Sequence, residues 1–180
     1  MQLQIGVMGS SARFSDEDAE KARLIGKEIA RNNCTMITGG GLGLPLEAAK
    51  AARDEGGLVV GISPAADREE HRKVYGLQRN NFDTLIYTGF GYAGRNVINI
   101  HSCDGVIFMK GEIGTLDEFA QAFRESLVIG ILENDEGIVT LAKDIEKICR
   151  SKKKAEIICY SDPEVLVQEV IKYLINKKVL

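Results

Sequence analysis

Short apolar runs rich in β-branched residues recur along the chain at Leu3–Met8, Thr35–Thr38, Leu58–Ile62, Thr84–Tyr87, Gly105–Met109, Leu127–Leu132 and Glu156–Tyr160. Their length and composition predict strands. Between them the apolar positions return at helical spacing, which predicts helices at Ser15–Arg31, Pro45–Glu55, Ala93–Ser102, Thr115–Glu125, Ile138–Arg150 and Pro163–Asn176. Most strand-to-strand connections therefore contain a helix. A helical crossover is what joins parallel neighbours, so the expected fold is α/β: a doubly wound, mostly parallel seven-stranded sheet flanked by helices.

Boundary residues agree with this pattern. Ser15 suits an N-cap with Asp18 three residues on, Pro45 and Pro163 suit first helical turns, and Asp162 can cap the last helix. The segment Ser63–Phe82 stands apart. It is too long for a minimal connection and carries D-R-E-E-H-R-K in its middle, which leaves a lid over a site or a short solvated helix as its two readings. No repeat, low-complexity tract or linker divides the 180 residues, so one domain is expected.

Composition narrows the function classes. A hydrophobic content of 44% with 19 glycines describes a globular chain with many tight turns. A formal charge of −3 and a pI near 5.5 argue against a general electrostatic grip on nucleic acid. No apolar run approaches the ~18–20 residues that span a bilayer, and the start M-Q-L-Q-I-G-V lacks the marks of a signal peptide, so a cytoplasmic protein is expected. Cys34, Cys103, Cys149 and Cys159 show no C-x-x-C spacing and read as small buried hydrophobes. His71 and His101 belong to no metal-like cluster, so no metal site is expected.

Candidate chemistry lies in three glycine-bearing turns that follow strands. They are Gly9-Ser10-Ser11, then Gly39-Gly40-Gly41-Leu42-Gly43, and then K-G-E-I-G-T-L-D-E at Lys110–Glu118, with Arg95 at the head of the preceding helix. In a doubly wound sheet such turns gather on one rim, beyond the carboxyl ends of the strands. There the backbone can approach a ligand closely, and helix N-termini present unpaired N–H groups to an anion. The three turns together predict a phosphate-binding rim. A competing reading treats each glycine as packing and Thr115-x-x-Glu118 as a capping box. G-x-G-x-x-G is absent after the first strand and no G-K-[ST] follows a glycine cluster, so NAD enzymes and P-loop NTPases fit poorly.

The G-S-S turn, the T-G-G-G-L-G-L turn and an arginine preceding a G-x-x-G-T-L-x-E helix start resemble the LOG (Lonely Guy) family, long labelled "possible lysine decarboxylase". The likeness runs over residues 3–132 and implies a Rossmann-like fold. T-G-F-G-Y-A-G-R-N at Thr88–Asn96 is similar to a branch carrying R-N, close to molybdenum-cofactor carrier proteins. For the better-known branch the resemblance implies a phosphoribohydrolase that cleaves a nucleoside 5′-monophosphate such as AMP to free base and ribose 5-phosphate. Arg95 and Glu118 match its catalytic pair. Glu118 would stabilise an oxocarbenium-like state and position water, while Arg95 would hold phosphate or ribose.

The implied phosphate or nucleotide site comprises Gly9, Ser10, Ser11, Gly39, Gly40, Gly41, Gly43, Asn96, Gly111, Gly114 and Thr115. Two departures bear on catalysis. The family's P-G-G-x-G-T reads K-G-E-I-G-T, which places Lys110 for proline and Glu112 for glycine, and Asn96 replaces a lysine. Glu112 pointing inward would repel phosphate; pointing outward it costs only backbone freedom. The alternative function is therefore a non-catalytic protein that binds or carries a nucleotide or a pterin-type cofactor on the same rim. Neither reading requires a resident cofactor. Decarboxylation with pyridoxal phosphate would need a Schiff-base lysine, and only Lys110 lies near. The resemblance also implies a homodimer, with Ala93–Ser102 and Thr115–Glu125 as candidate contact helices.

Overall fold

The computed structural model describes residues 2–133, 136–141, 144–145 and 155–179. Seven strands form one sheet: β1 (Gln4–Gly9), β2 (Thr35–Thr38), β3 (Val59–Ser63), β4 (Thr84–Tyr87), β5 (Gly105–Met109), β6 (Val128–Leu132) and β7 (Glu156–Tyr160). Their spatial order is β4-β3-β2-β1-β5-β6-β7 and every pairing is parallel. This is the expected Rossmann-like α/β domain.

Helices α1 (Asp16–Arg31), α2 (Leu44–Asp54), α3 (Arg68–Lys73), α4 (Gly91–His101), α5 (Ile113–Arg124) and α6 (Pro163–Val179) supply the crossovers. Side-chain alternation along the central strands divides the core. Ile5 and Val7 of β1 join Ile107 and Met109 of β5 against Ile25 and Ile29 of α1, Ala48 of α2 and Val170 of α6. Met8, Val106 and Phe108 face the other way, against Ile100 of α4 and Phe119 and Phe123 of α5. Both faces of the sheet are covered, which is why its strands read as unbroken apolar runs.

Several boundaries differ from expectation. α4 begins at Gly91 rather than Ala93, and α5 at Ile113 rather than Thr115. Gly91 opens α4 at φ +64°, a left-handed conformation that glycine adopts freely, and Gly114 is a poor helix former; both disguise the first turn in the sequence. Of the helix expected at Ile138–Arg150, Ile138–Leu141 form a 3-10 turn and 144–145 are helical; the rest, with Cys149, lies outside the described residues.

The Ser63–Phe82 segment contains α3, but it is more than a solvated helix. His71 is buried and shares a 2.8 Å hydrogen bond between its Nδ1 and Ser63 Oγ, while Tyr75 and Leu77 reach the cavity described below. No described helix is long and apolar enough to cross a membrane, and no described group of His, Cys, Asp and Glu could hold a metal ion.

Candidate functional site

The strand order reverses between β1 and β5, so the helices following these strands depart to opposite faces and a crevice opens beyond their carboxyl ends. A cavity of about 580 Å³ occupies that position. It is lined by all three turns: Gly9, Ser10 and Ser11; Gly39 and Gly41; and Gly114 and Thr115, together with Arg95, Asn96 and Glu118.

Gly40, Gly43 and Gly111 are not among the lining residues and serve the wall from behind. Gly43 has φ +81°, and a Cβ there would lie 2.1 Å from the carbonyl oxygen of Ser10, which accepts from Leu44 N–H at 2.9 Å. The second turn is thus clamped onto the first through a backbone approach that only glycine permits. Gly40 packs toward Leu85, and Gly111 packs against the side chain of Thr115. The Ser10 hydroxyl is also occupied, donating to the Arg13 carbonyl and accepting from the Arg13 N–H. Ser10 therefore shapes its own turn, and Ser11 is the exposed hydroxyl of the pair.

At the third turn the capping box is not formed. Thr115 lies inside α5, whose N-cap is Glu112 and makes no side-chain hydrogen bond to the helix. Glu118 turns instead toward α4. Its Oε1 accepts from Arg95 Nη1 at 3.4 Å and from Asn99 Nδ2 at 3.3 Å. The Arg95 and Glu118 side chains are only 11% and 10% exposed, so this ion pair forms largely out of water. Burial pushes the Glu118 carboxyl above its ordinary range, opposed by Arg95 and the Asn99 amide; burial likewise lowers the Arg95 guanidinium, opposed by Glu118.

The guanidinium is boxed in. A Cβ on Gly39 would lie 2.0 Å from Arg95 Nη1, and the Tyr92 ring centroid is 5.9 Å from Arg95 Cζ. Arg95 Nε and Asn99 Oδ1 are nonetheless buried without a hydrogen-bond partner. Such orphaned groups cost stability and commonly mark a place where a ligand completes the set.

The two departures in the third turn resolve clearly. Glu112 lines the cavity at its solvent-exposed edge, its side chain 72% exposed and 4.0 Å from that of Arg13. Lys110 has φ +47° and lies outside the cavity lining, with Nζ 2.7 Å from Asp18 and 3.1 Å from Glu136. Although burial opposes it, hydrogen bonding from Lys110 and Ser15 holds the Asp18 carboxyl below its ordinary range. Asn96 donates to Asp117 at 2.8 Å and so ties α4 to α5.

Sequence reasoning missed Asn99 and Tyr92. Asn99 lies one helical turn beyond Arg95, a spacing that places the two on one face.

The SLOG cluster4 family model matches residues 2–167. The chain belongs to this family. An uncharacterized protein from Archaeoglobus fulgidus is 35% identical over 131 residues, covering 73% of this chain and 80% of that protein. Among solved structures, the molybdenum cofactor binding protein of Rippkaea orientalis is 29% identical with a TM-score of 0.80, over 97% of this chain and 98% of that one. The molybdenum cofactor carrier protein of Chlamydomonas reinhardtii is 25% identical with a TM-score of 0.78, over 98% and 99%. The cluster4 membership and these neighbours agree with the carrier-like branch of the LOG resemblance.

Proposed function

We propose that this protein binds a phosphorylated heterocycle of the pterin class in the cavity at the β1–β5 switch point, and holds it as cargo. The observation that carries the reading is the buried Arg95 guanidinium, its Nε without a partner, on the same cavity as the starts of α4 and α5, neither of which has a side-chain cap. The N-caps of α4 and α5, Phe90 and Glu112, make no side-chain hydrogen bond to their helices, and Tyr92, Ile113 and Gly114 from the first turns line the space; α2 adds Pro45 to the lining, its Leu44 N–H being held by the Ser10 carbonyl. Unpaired N–H groups and positive dipole ends favour a phosphate.

The residues suit such a guest. The cavity is within the range of about 300–1,000 Å³ typical of small-molecule sites, and Arg95 Nε is a buried donor awaiting an acceptor. Overlap across nearly the whole chain with proteins named for binding or carrying the molybdenum cofactor supports the choice of a pterin over other phosphorylated rings.

The test is to purify the protein, release and oxidise any bound compound, and look for pterin fluorescence. A phosphorylated pterin near one equivalent, lost in Arg95→Ala, is the expected result. An empty protein that also fails to take up phosphorylated pterin contradicts the reading.

One observation favours a second reading, hydrolysis of a nucleoside 5′-monophosphate. Glu118 stands at the cavity wall with a carboxyl held above its ordinary range, a state suited to exchanging a proton with water or a leaving base. On this reading AMP releases free adenine, and Glu118→Gln abolishes the release.

A further inference from the structure

The cavity is graded from a polar floor to an apolar mouth. Ser10, Thr115, Arg95 and Glu118 lie deep, each nine-tenths buried or nearly so. Leu42, Tyr92 and Ile113 line the same cavity but are 50%, 57% and 79% exposed. Ile113 is the first residue of α5, and Leu42 lies in the glycine turn before α2. With Tyr92 they gather three exposed apolar side chains at one cavity instead of scattering them singly over the surface.

Tyr92 is exposed yet held in place. Its ring lies against the Arg95 guanidinium on one hand and meets Tyr75 on the other, with centroids 5.3 Å apart and planes at 85°. An aromatic ring already fixed before binding loses little freedom on contact with a ligand.

We propose that Leu42, Tyr92 and Ile113 form the subsite for the ligand's flat heterocyclic ring, so that the phosphate enters first and the ring covers the mouth. This rests on the binding reading above and adds an orientation and a division of labour. The floor recognises the charge and would accept any phosphate. The mouth recognises flat apolar surface and so discriminates a phosphorylated ring from inorganic phosphate or a sugar phosphate.

The division is tested by calorimetric titration of the full chain with 6-hydroxymethylpterin monophosphate and, separately, with inorganic phosphate. The variants are Leu42→Ala/Ile113→Ala, Tyr92→Ala, Tyr92→Phe and Arg95→Ala. Because Leu42 and Ile113 are at least half exposed, their double variant retains the fold. Removing the mouth is expected to weaken the pterin phosphate by about ten-fold and leave inorganic phosphate unchanged. Tyr92→Ala weakens the pterin phosphate by a similar factor, Tyr92→Phe keeps its binding, and Arg95→Ala weakens both ligands.

Mouth variants that bind the pterin phosphate as tightly as the parent, while Arg95→Ala loses it, overturn the ring subsite and leave the site itself standing. Parallel loss of both ligands in Leu42→Ala/Ile113→Ala also overturns it. A parent protein that binds neither ligand overturns the subsite together with the reading on which it rests.

Discussion

The helices of this protein begin in two different ways. Ser15 caps α1 in a reciprocal capping box, Asp67 accepts from Glu69 and Glu70 N–H at the head of α3, and Asp162 accepts from Glu164 and Val165 N–H at the head of α6. α2, α4 and α5 have no such side chain, and α4 and α5 carry no acidic residue in their first turns. Side-chain caps satisfy orphan donors; at α2 the Ser10 carbonyl takes the Leu44 N–H and at α4 the Pro64 carbonyl takes the Gly91 N–H, while the first-turn donors of α5 have no side-chain cap. The uncapped set opens on the cavity.

The contrast can be broken from several directions. Gly43→Ala should have the largest effect, because it places a Cβ against the Ser10 carbonyl at a positive φ and separates the first two turns. A loss of about 2–3 kcal/mol in urea denaturation is expected; a loss below about 0.5 kcal/mol would mean the clamp is not rigid. Asp162→Ala, at a capped helix, should cost about 1 kcal/mol of stability and leave ligand affinity within experimental error. A change in affinity there would dissolve the distinction between the two kinds of helix start.

Smaller effects sharpen it further. Glu112 is an exposed carboxylate beside the cavity, so Glu112→Gln should tighten phosphate binding by about two- to three-fold at low salt, an effect that high salt removes. An unchanged affinity at low salt would mean that solvent screens the carboxylate entirely.

The smallest effect concerns the segment over the cavity. Burial holds the His71 imidazole below its ordinary value of 6.5, opposed by a backbone hydrogen bond with Gln78. The unfolded chain then binds the proton more readily than the folded one. The stability contribution is therefore intact above pH 6.5 and declines as pH falls from there toward the lower folded value. Thermal unfolding between pH 7.5 and 5 should show this decline, and His71→Asn should flatten it. Equal slopes in both proteins would contradict the assignment to His71.

Most of the architecture was legible in the sequence because the strands are apolar on both faces and each lies between glycine turns and helical spacing. All seven strands fall where the pattern places them to within a residue at either end. The first turns of α4 and α5 were not legible, since glycine propensity argues against helix at Gly91 and Gly114. In the site, Arg95 and Glu118 were legible through their motif context. Asn99 was not: a lone asparagine in a helical stretch reads as a surface position, and only the approach of α5 buries it. Thr115-x-x-Glu118 pointed to a capping box because local spacing carries no record of α4, whose Arg95 and Asn99 draw Glu118 away. The pairing of Lys110 with Asp18 is likewise long-range and invisible to local pattern.

The central claim, that the cavity holds a phosphorylated ring without cleaving it, is tested most directly by incubating the pure protein with AMP and with a phosphorylated pterin. Products are followed by chromatography, and the protein itself by native mass spectrometry. The expected result is intact AMP, no free adenine, and one phosphorylated pterin retained per chain, lost in Arg95→Ala. Release of adenine that disappears in Glu118→Gln would contradict the account and assign the same pair of residues to catalysis.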